Sequence, residues 1–132
     1  MRKTVVLVGH CGPDSSYLRM AVTSADRSVQ VVVAEDADEL EQLIKKGSID
    51  LVLFNRELGW GFGADAGVDV IREMRQAHAN LKMMLVSNYA EAQAAALSAG
   101  ALPGFGKREI GSPKVSQLLR DALSDTAKAS TG

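Results

Sequence analysis

Cysteine is almost missing from this chain: Cys11 is the single one in 132 residues. One thiol cannot close an internal disulfide, so a disulfide-stapled scaffold is excluded and a reducing compartment fits. Histidine is nearly as scarce, with His10 and His78 far apart in the sequence, which leaves little to build a zinc site from. Neither sign of charge dominates: 15 Lys and Arg stand against 16 Asp and Glu, a net charge of -1. A nucleic-acid footprint needs a clustered basic face, and none is visible. No apolar run approaches the roughly 20 residues of a membrane span. The opening "MRKTVVLVGHCG" has two cations and a short apolar stretch, without the small-residue cleavage site of a secretory signal. The expectation is a cytoplasmic protein with no membrane or nucleic-acid partner.

What is present is the material of a core. Hydrophobic residues make up 46% and charged residues 23%, a globular balance. The length favours one domain, large enough to bury roughly two-thirds of its unfolded surface. Short continuous runs rich in Val and Leu, at 4–9, 29–34 and 50–54, read as strands buried on both faces. A fourth run lies at 82–87. A weaker fifth lies at 101–106, where Pro103 argues for a short or edge strand.

Helical patterns alternate with them. "SSYLRMAVTSA" follows Asp14, read as its N-cap. "DADELEQLIKKG" has acids early, lysines late and Gly47 as a stop, matching the helix dipole. "GVDVIREMRQAH" sets Val70, Ile71 and Met74 on one face. "AEAQAAALSAG" is alanine-rich and ends at Gly100, and "SPKVSQLLRDAL" has Ser112 as cap with Pro113 at the first helical position. Five strand–helix repeats imply an α/β fold: a doubly wound, five-stranded parallel sheet with helices on both faces. Ligand sites on such sheets lie beyond the carboxyl ends of the strands, where strand order reverses. There the chain places Gly9, His10 and Cys11, then Glu35 and Asp36, Asn55 to Gly63, Ser87 and Asn88, and Lys107.

The pattern resembles the receiver domain of response regulators, the CheY-like family, over residues 1–125; 126–132 read as a flexible tail. "IDLVLFN" is similar to the family's third strand, which ends at the phosphoacceptor Asp, here Asn55. "VIREMRQ" resembles the helix that follows. Ser87 after "MMLV" matches the family's hydroxyl residue. "GALPGFGKRE" resembles the segment carrying its lysine, here Lys107, with Phe105 one position from the switch aromatic and Arg108 in place of a proline. The resemblance implies a phosphorylation pocket in which an acidic pair holds Mg²⁺ and the Asp attacks a phosphoryl group. In this chain the acidic pair falls on Gly9 and His10. Glycine offers no ligand, neutral imidazole suits transition metals better than Mg²⁺, and an amide is a poor nucleophile. The pocket of Gly9, His10, Asn55, Ser87 and Lys107 is thus a remnant, with no catalytic residue, metal or cofactor expected.

Two readings of Asn55 stand: a switch held off, or a decayed site whose amide bonds Lys107 or a loop N–H. Lys107 reads as an uncompensated cation that bonds Asn55, Ser87 or solvent, or holds an anion with loop amides. Gly67 comes twelve residues after Asn55, about four more than the family spacing, so "GWGFGADA" contains an insertion. Its Trp60 and Phe62 form either a docking patch or an apolar tuck onto the next helix. "GWGFG" follows the third strand and lacks the Lys-Ser/Thr of a phosphate-binding loop, so it is not read as a nucleotide motif. "HCGPDSSYLR" raises a thiol-dependent phosphatase. That chemistry needs five residues between the cysteine and its Arg, a position held here by Tyr17, and Arg19 is too late.

The expectation is therefore an atypical receiver that signals by protein–protein contact and is not an enzyme. In the family, partners use the fourth helix, fifth strand and fifth helix, here roughly 89–122, so Tyr89 and Phe105 join Trp60 and Phe62 as candidate contact residues. A homodimer is a further possibility of that surface. The alternative classes are a small-anion or small-molecule sensor using Asn55, Ser87 and Lys107, and the phosphatase using Cys11.

Overall fold

The computed structural model describes residues 3–10, 12–47, 49–56 and 66–123. In chain order the elements are β1 (Thr4–Val8), α1 (Gly12–Ala25), β2 (Gln30–Ala34), α2 (Ala37–Lys45), β3 (Leu51–Asn55), α3 (Gly67–Ala77), β4 (Met83–Val86), α4 (Ala90–Ala99), β5 (Leu102–Phe105) and α5 (Pro113–Leu123). A single 3-10 turn, Lys107–Glu109, joins β5 to α5. The strands are parallel in the order β2-β1-β3-β4-β5, so strand order reverses between β1 and β3.

Period-2 alternation sorts the strand side chains into two cores. Val5, Leu7, Leu51, Leu53, Met84 and Val86 meet Leu18 and Val22 of α1 and Val115 and Leu119 of α5. Val6, Val8, Val52, Phe54, Met83 and Leu85 meet Leu40 of α2, Val70, Ile71 and Met74 of α3, and Ala96 and Ala99 of α4. Each fully buried aliphatic or aromatic side chain contributes about 1.5–3 kcal/mol of transfer energy. Two helices therefore cover one face of the sheet and three the other, and both cores end at the same row of strand termini.

Local signals set the helix ends. Asp36 is extended and accepts a hydrogen bond from the N–H of Glu39 at 2.9 Å, capping α2. Gly100 ends α4 at φ 110°, in the left-handed region. At the other end of the molecule Lys82 Nζ donates to the Ala122 carbonyl at 2.6 Å, and Lys3 Nζ donates to the Leu123 carbonyl. Two lysines thus satisfy the last carbonyls of α5.

Two expectations are corrected. Asp14 is not a cap: α1 starts at Gly12, so Asp14 lies in its first turn. The run at 29–34 is not buried on both faces, because β2 is an edge strand and Val33 is 39% exposed. The edge is partly covered by side chains. Arg19 Nη1 donates to the Val31 carbonyl at 3.1 Å, and Glu39 Oε1 accepts from the Glu35 N–H at 2.7 Å. No helix among the described residues is long and apolar enough to cross a membrane.

Candidate functional site

The strand termini bring Gly9, His10, Asn55, Ser87 and Lys107 to one end of the sheet, as the resemblance implies. Gly9 follows β1 with φ 80°, a conformation that L side chains rarely adopt. Its carbonyl accepts a hydrogen bond from Asn55 Nδ2 at 3.1 Å. Asn55 therefore acts as a donor across the β1–β3 junction, where a carboxylate could only accept.

His10 is turned inward. Its Nε2 lies 2.9 Å from the Leu53 carbonyl. A carbonyl only accepts, so the proton sits on Nε2 and Nδ1 carries the lone pair. Nδ1 is buried and has no hydrogen-bond partner among the described residues. Burial holds the imidazole below its usual range; the Leu53 bond opposes this, the Lys107 cation adds to it and Asp14 opposes it. His10 is thus neutral at neutral pH.

Lys107 is not an uncompensated cation. Its Nζ lies 2.8 Å from Asp14 Oδ2. The ammonium crosses from the turn after β5 to the first turn of α1. Asp14 there also complements the positive end of the helix. The reading of Asp14 as a cap concealed this pairing. The signal that could have found it is positional: in a parallel α/β sheet, the start of α1 and the end of β5 lie at the same carboxyl end of the strands.

Ser87 is 4% exposed. Its Oγ accepts from the Tyr89 N–H at 3.1 Å, and its own N–H donates to the Phe105 carbonyl at 2.9 Å. Tyr89 is 59% exposed, with the Arg56 guanidinium 4.5 Å from its ring centroid. That pair ties the end of β3 to the start of α4. Asn88 Oδ1 accepts from the Arg108 N–H at 3.0 Å, and Glu109 Oε1 accepts from the Gly106 N–H at 2.9 Å. These bonds order the turn that carries Lys107.

Phe105 is corrected as a contact residue. It is 1% exposed and packs with Met84, Val86 and Val115. The cause is a register shift: Met84 pairs with Leu102 but Val86 with Phe105, so β5 carries one extra residue. Pro103 and Gly104 occupy the irregular stretch. Trp60, Phe62 and Cys11 lie outside the described residues. Arg19 is engaged on the β2 edge, and His78 Nε2 sits 3.2 Å from Glu41 at the other end of α3.

The described residues at this pocket do not fit Mg²⁺. A hard cation needs several oxygen ligands. Gly9 has no side chain, Asn55 carries a neutral amide in place of a carboxylate, His10 offers nitrogen, and Asp14 is engaged by Lys107. Among the described residues, no three His, Cys, Asp or Glu side chains are grouped to hold a metal ion.

No family model matches the chain, and no curated protein matches its sequence. Solved structures do match in shape. The receiver domain of an HD domain-containing protein from Pseudomonas fluorescens superposes with a TM-score of 0.76 at 18% identity, covering 98% of this chain and 93% of that one. The receiver domain of NtrX from Brucella abortus gives 0.64 at 22% identity, covering 92% and 98%. The beryllofluoride-activated NtrC4 receiver domain, solved as a dimer, gives 0.69 at 13% identity, covering 92% and 97%. With five parallel strands in the order β2-β1-β3-β4-β5 and five helices on two faces, the chain has the CheY-like fold of response-regulator receiver domains.

Proposed function

We propose that this chain is a receiver-like signalling module that acts by protein–protein contact and takes no phosphoryl group by the Asp/Mg²⁺ route. The observation that carries this reading is the Asn55 amide donating to the Gly9 carbonyl where a nucleophilic carboxylate would stand. The Lys107–Asp14 pair supports it: the cation that would stabilise a phosphoryl oxygen is drawn to α1. The same pair weighs against a small-anion sensor, because an anion would first have to displace Asp14.

The surface proposed for contact comprises α4, β5 and α5. Ala90, Ala94, Leu97 and Ser98 are exposed along α4, next to the exposed Tyr89. Small side chains let a partner's backbone approach closely, and Tyr89 supplies a large amphipathic contact. A second copy of the chain is one such partner, by analogy with the NtrC4 dimer. Nothing in this reading requires catalysis by the chain.

Incubation with acetyl phosphate and Mg²⁺, followed by intact-mass measurement, tests it. The native chain stays unmodified, and so does Asn55→Asp. Gly9 cannot readily accept an acid at φ 80°, and His10 gives Mg²⁺ no oxygen. A stoichiometric phosphoryl adduct on the native chain would sink the proposal. Ready Mg²⁺-dependent labelling of the variant would show that the pocket still assembles a metal site.

A further inference from the structure

Gln93 lies on α4, on the side facing the sheet. Its Nε2 is 2.9 Å from the Leu85 carbonyl, 3.1 Å from the Ser87 carbonyl and 3.1 Å from the Phe105 carbonyl. All three neighbours are acceptors, so the nitrogen must face them, and its two hydrogens are shared among three oxygens. These carbonyls belong to β4, to the residue after it, and to the end of β5.

They meet where the sheet is irregular. The ladder between β4 and β5 loses register between Met84 and Val86, opposite Pro103, which has no N–H to give. The Phe105 carbonyl already accepts from the Ser87 N–H at 2.9 Å, and Gln93 adds a second donor to this junction from outside the sheet. Gly104 makes room for it: a side chain there would meet the Leu85 carbonyl and Gln93 Oε1.

We infer that Gln93 is a latch that holds α4 against β4 and β5 in one arrangement, so that the α4–β5 contact surface is preformed. The inference rests on the contact reading given above and specifies how that surface is regulated. Its shape is set by a side chain inside α4, independent of the chemistry of the pocket. Ser87 and Phe105, which flank the pocket, are held through the same amide. Gln93 is a positioning residue; it touches no ligand.

Hydrogen exchange on the full chain tests the latch. In Gln93→Leu, the amides of α4 and β5 exchange about tenfold faster, while those of β1 and β3 keep their native rates. Unchanged exchange in α4, or equal acceleration across the whole sheet, overturns the inference. Gln93→Glu adds a readout that simple packing would not give. An ionised carboxylate facing three carbonyls cannot donate, and a protonated one can. Exchange in α4 and β5 is therefore fast at neutral pH and returns toward native rates as the carboxyl protonates. A pH-independent ratio to wild type overturns the inference even if the leucine variant does not fold. A phosphoryl adduct would defeat the contact reading and leave this result standing; native exchange rates in both variants would do the reverse.

Discussion

The two halves of the pocket differ in how their polar groups are used. On the β4–β5 side, Ser87, Asn88, Gly106 and Glu109 all have partners, and Gln93 alone makes three contacts. On the β1–β3 side, Asn55 spans the strands to Gly9, and His10 leaves a buried nitrogen with no partner among the described residues. The residues that match the receiver family, Ser87 and Lys107, stand at the ends of β4 and β5. The departures, Gly9, His10 and Asn55, are all on the first side. The second side is held by backbone-directed bonds that need no metal. The difference teaches that the order of the α4–β5 side does not depend on the side chains that end β1 and β3.

The strongest way to break this comparison is through the core beneath the ordered side. Phe105→Ala leaves a cavity between β5, β4 and α5, and costs about 3–5 kcal/mol in urea denaturation. A surface aromatic would lose within about 0.5 kcal/mol. A small change would mean that Phe105 faces solvent and that the β5 bulge is absent.

The opposite side is probed by pH. Burial and the Lys107 cation depress His10 in the folded chain, whereas the unfolded chain titrates near its ordinary value of about 6.5. As pH falls below that value, the unfolded state takes up the proton first. Stability is thus full above about pH 6.5 and is lost downward until the folded imidazole itself protonates. The hydrogen bonds from Ser28 to Asp26, and from the Gly106 N–H to Glu109, hold those carboxyls low. Their contributions are lost only in more acid solution, as pH falls through the folded values, so the windows separate. Urea midpoints followed from about pH 7.5 to 5 should fall in the native chain and stay flatter in His10→Gln. Parallel curves would mean that His10 is solvated and ordinary.

Much of this arrangement was legible in the sequence because it rests on local patterns. Short apolar runs located all five strands, and the stops read at Gly47 and Gly100 fall within two residues of the ends of α2 and α4. On the β1–β3 side the sequence placed Gly9, His10 and Asn55 at strand ends, but not the bonds from Asn55 to the Gly9 carbonyl and from His10 to the Leu53 carbonyl. The rest depends on contacts distant in the chain. Burial of 29–34 depends on which strand takes the edge. Phe105 depends on a register shift that no periodicity announces. Gln93 looked like one polar residue in an alanine-rich helix, and its value comes from carbonyls contributed by two strands.

The Asp14–Lys107 bridge joins the two sides and is the smallest effect of the three. Both side chains are partly exposed, so the pair contributes about 0.5–1 kcal/mol despite its 2.8 Å separation. Asp14→Asn, Lys107→Met and the double variant form a cycle that isolates the coupling from the helix-dipole effect of Asp14. The coupling should shrink between about 0.05 and 0.5 M salt, because water reaches both groups. It should persist in His10→Gln, since the ion pair does not pass through the imidazole. A coupling near zero would return Lys107 to solvent and leave the cation available to an anion. One that resists salt would place the pair deeper in the pocket, making Lys107 a fixed strut between the turn after β5 and α1.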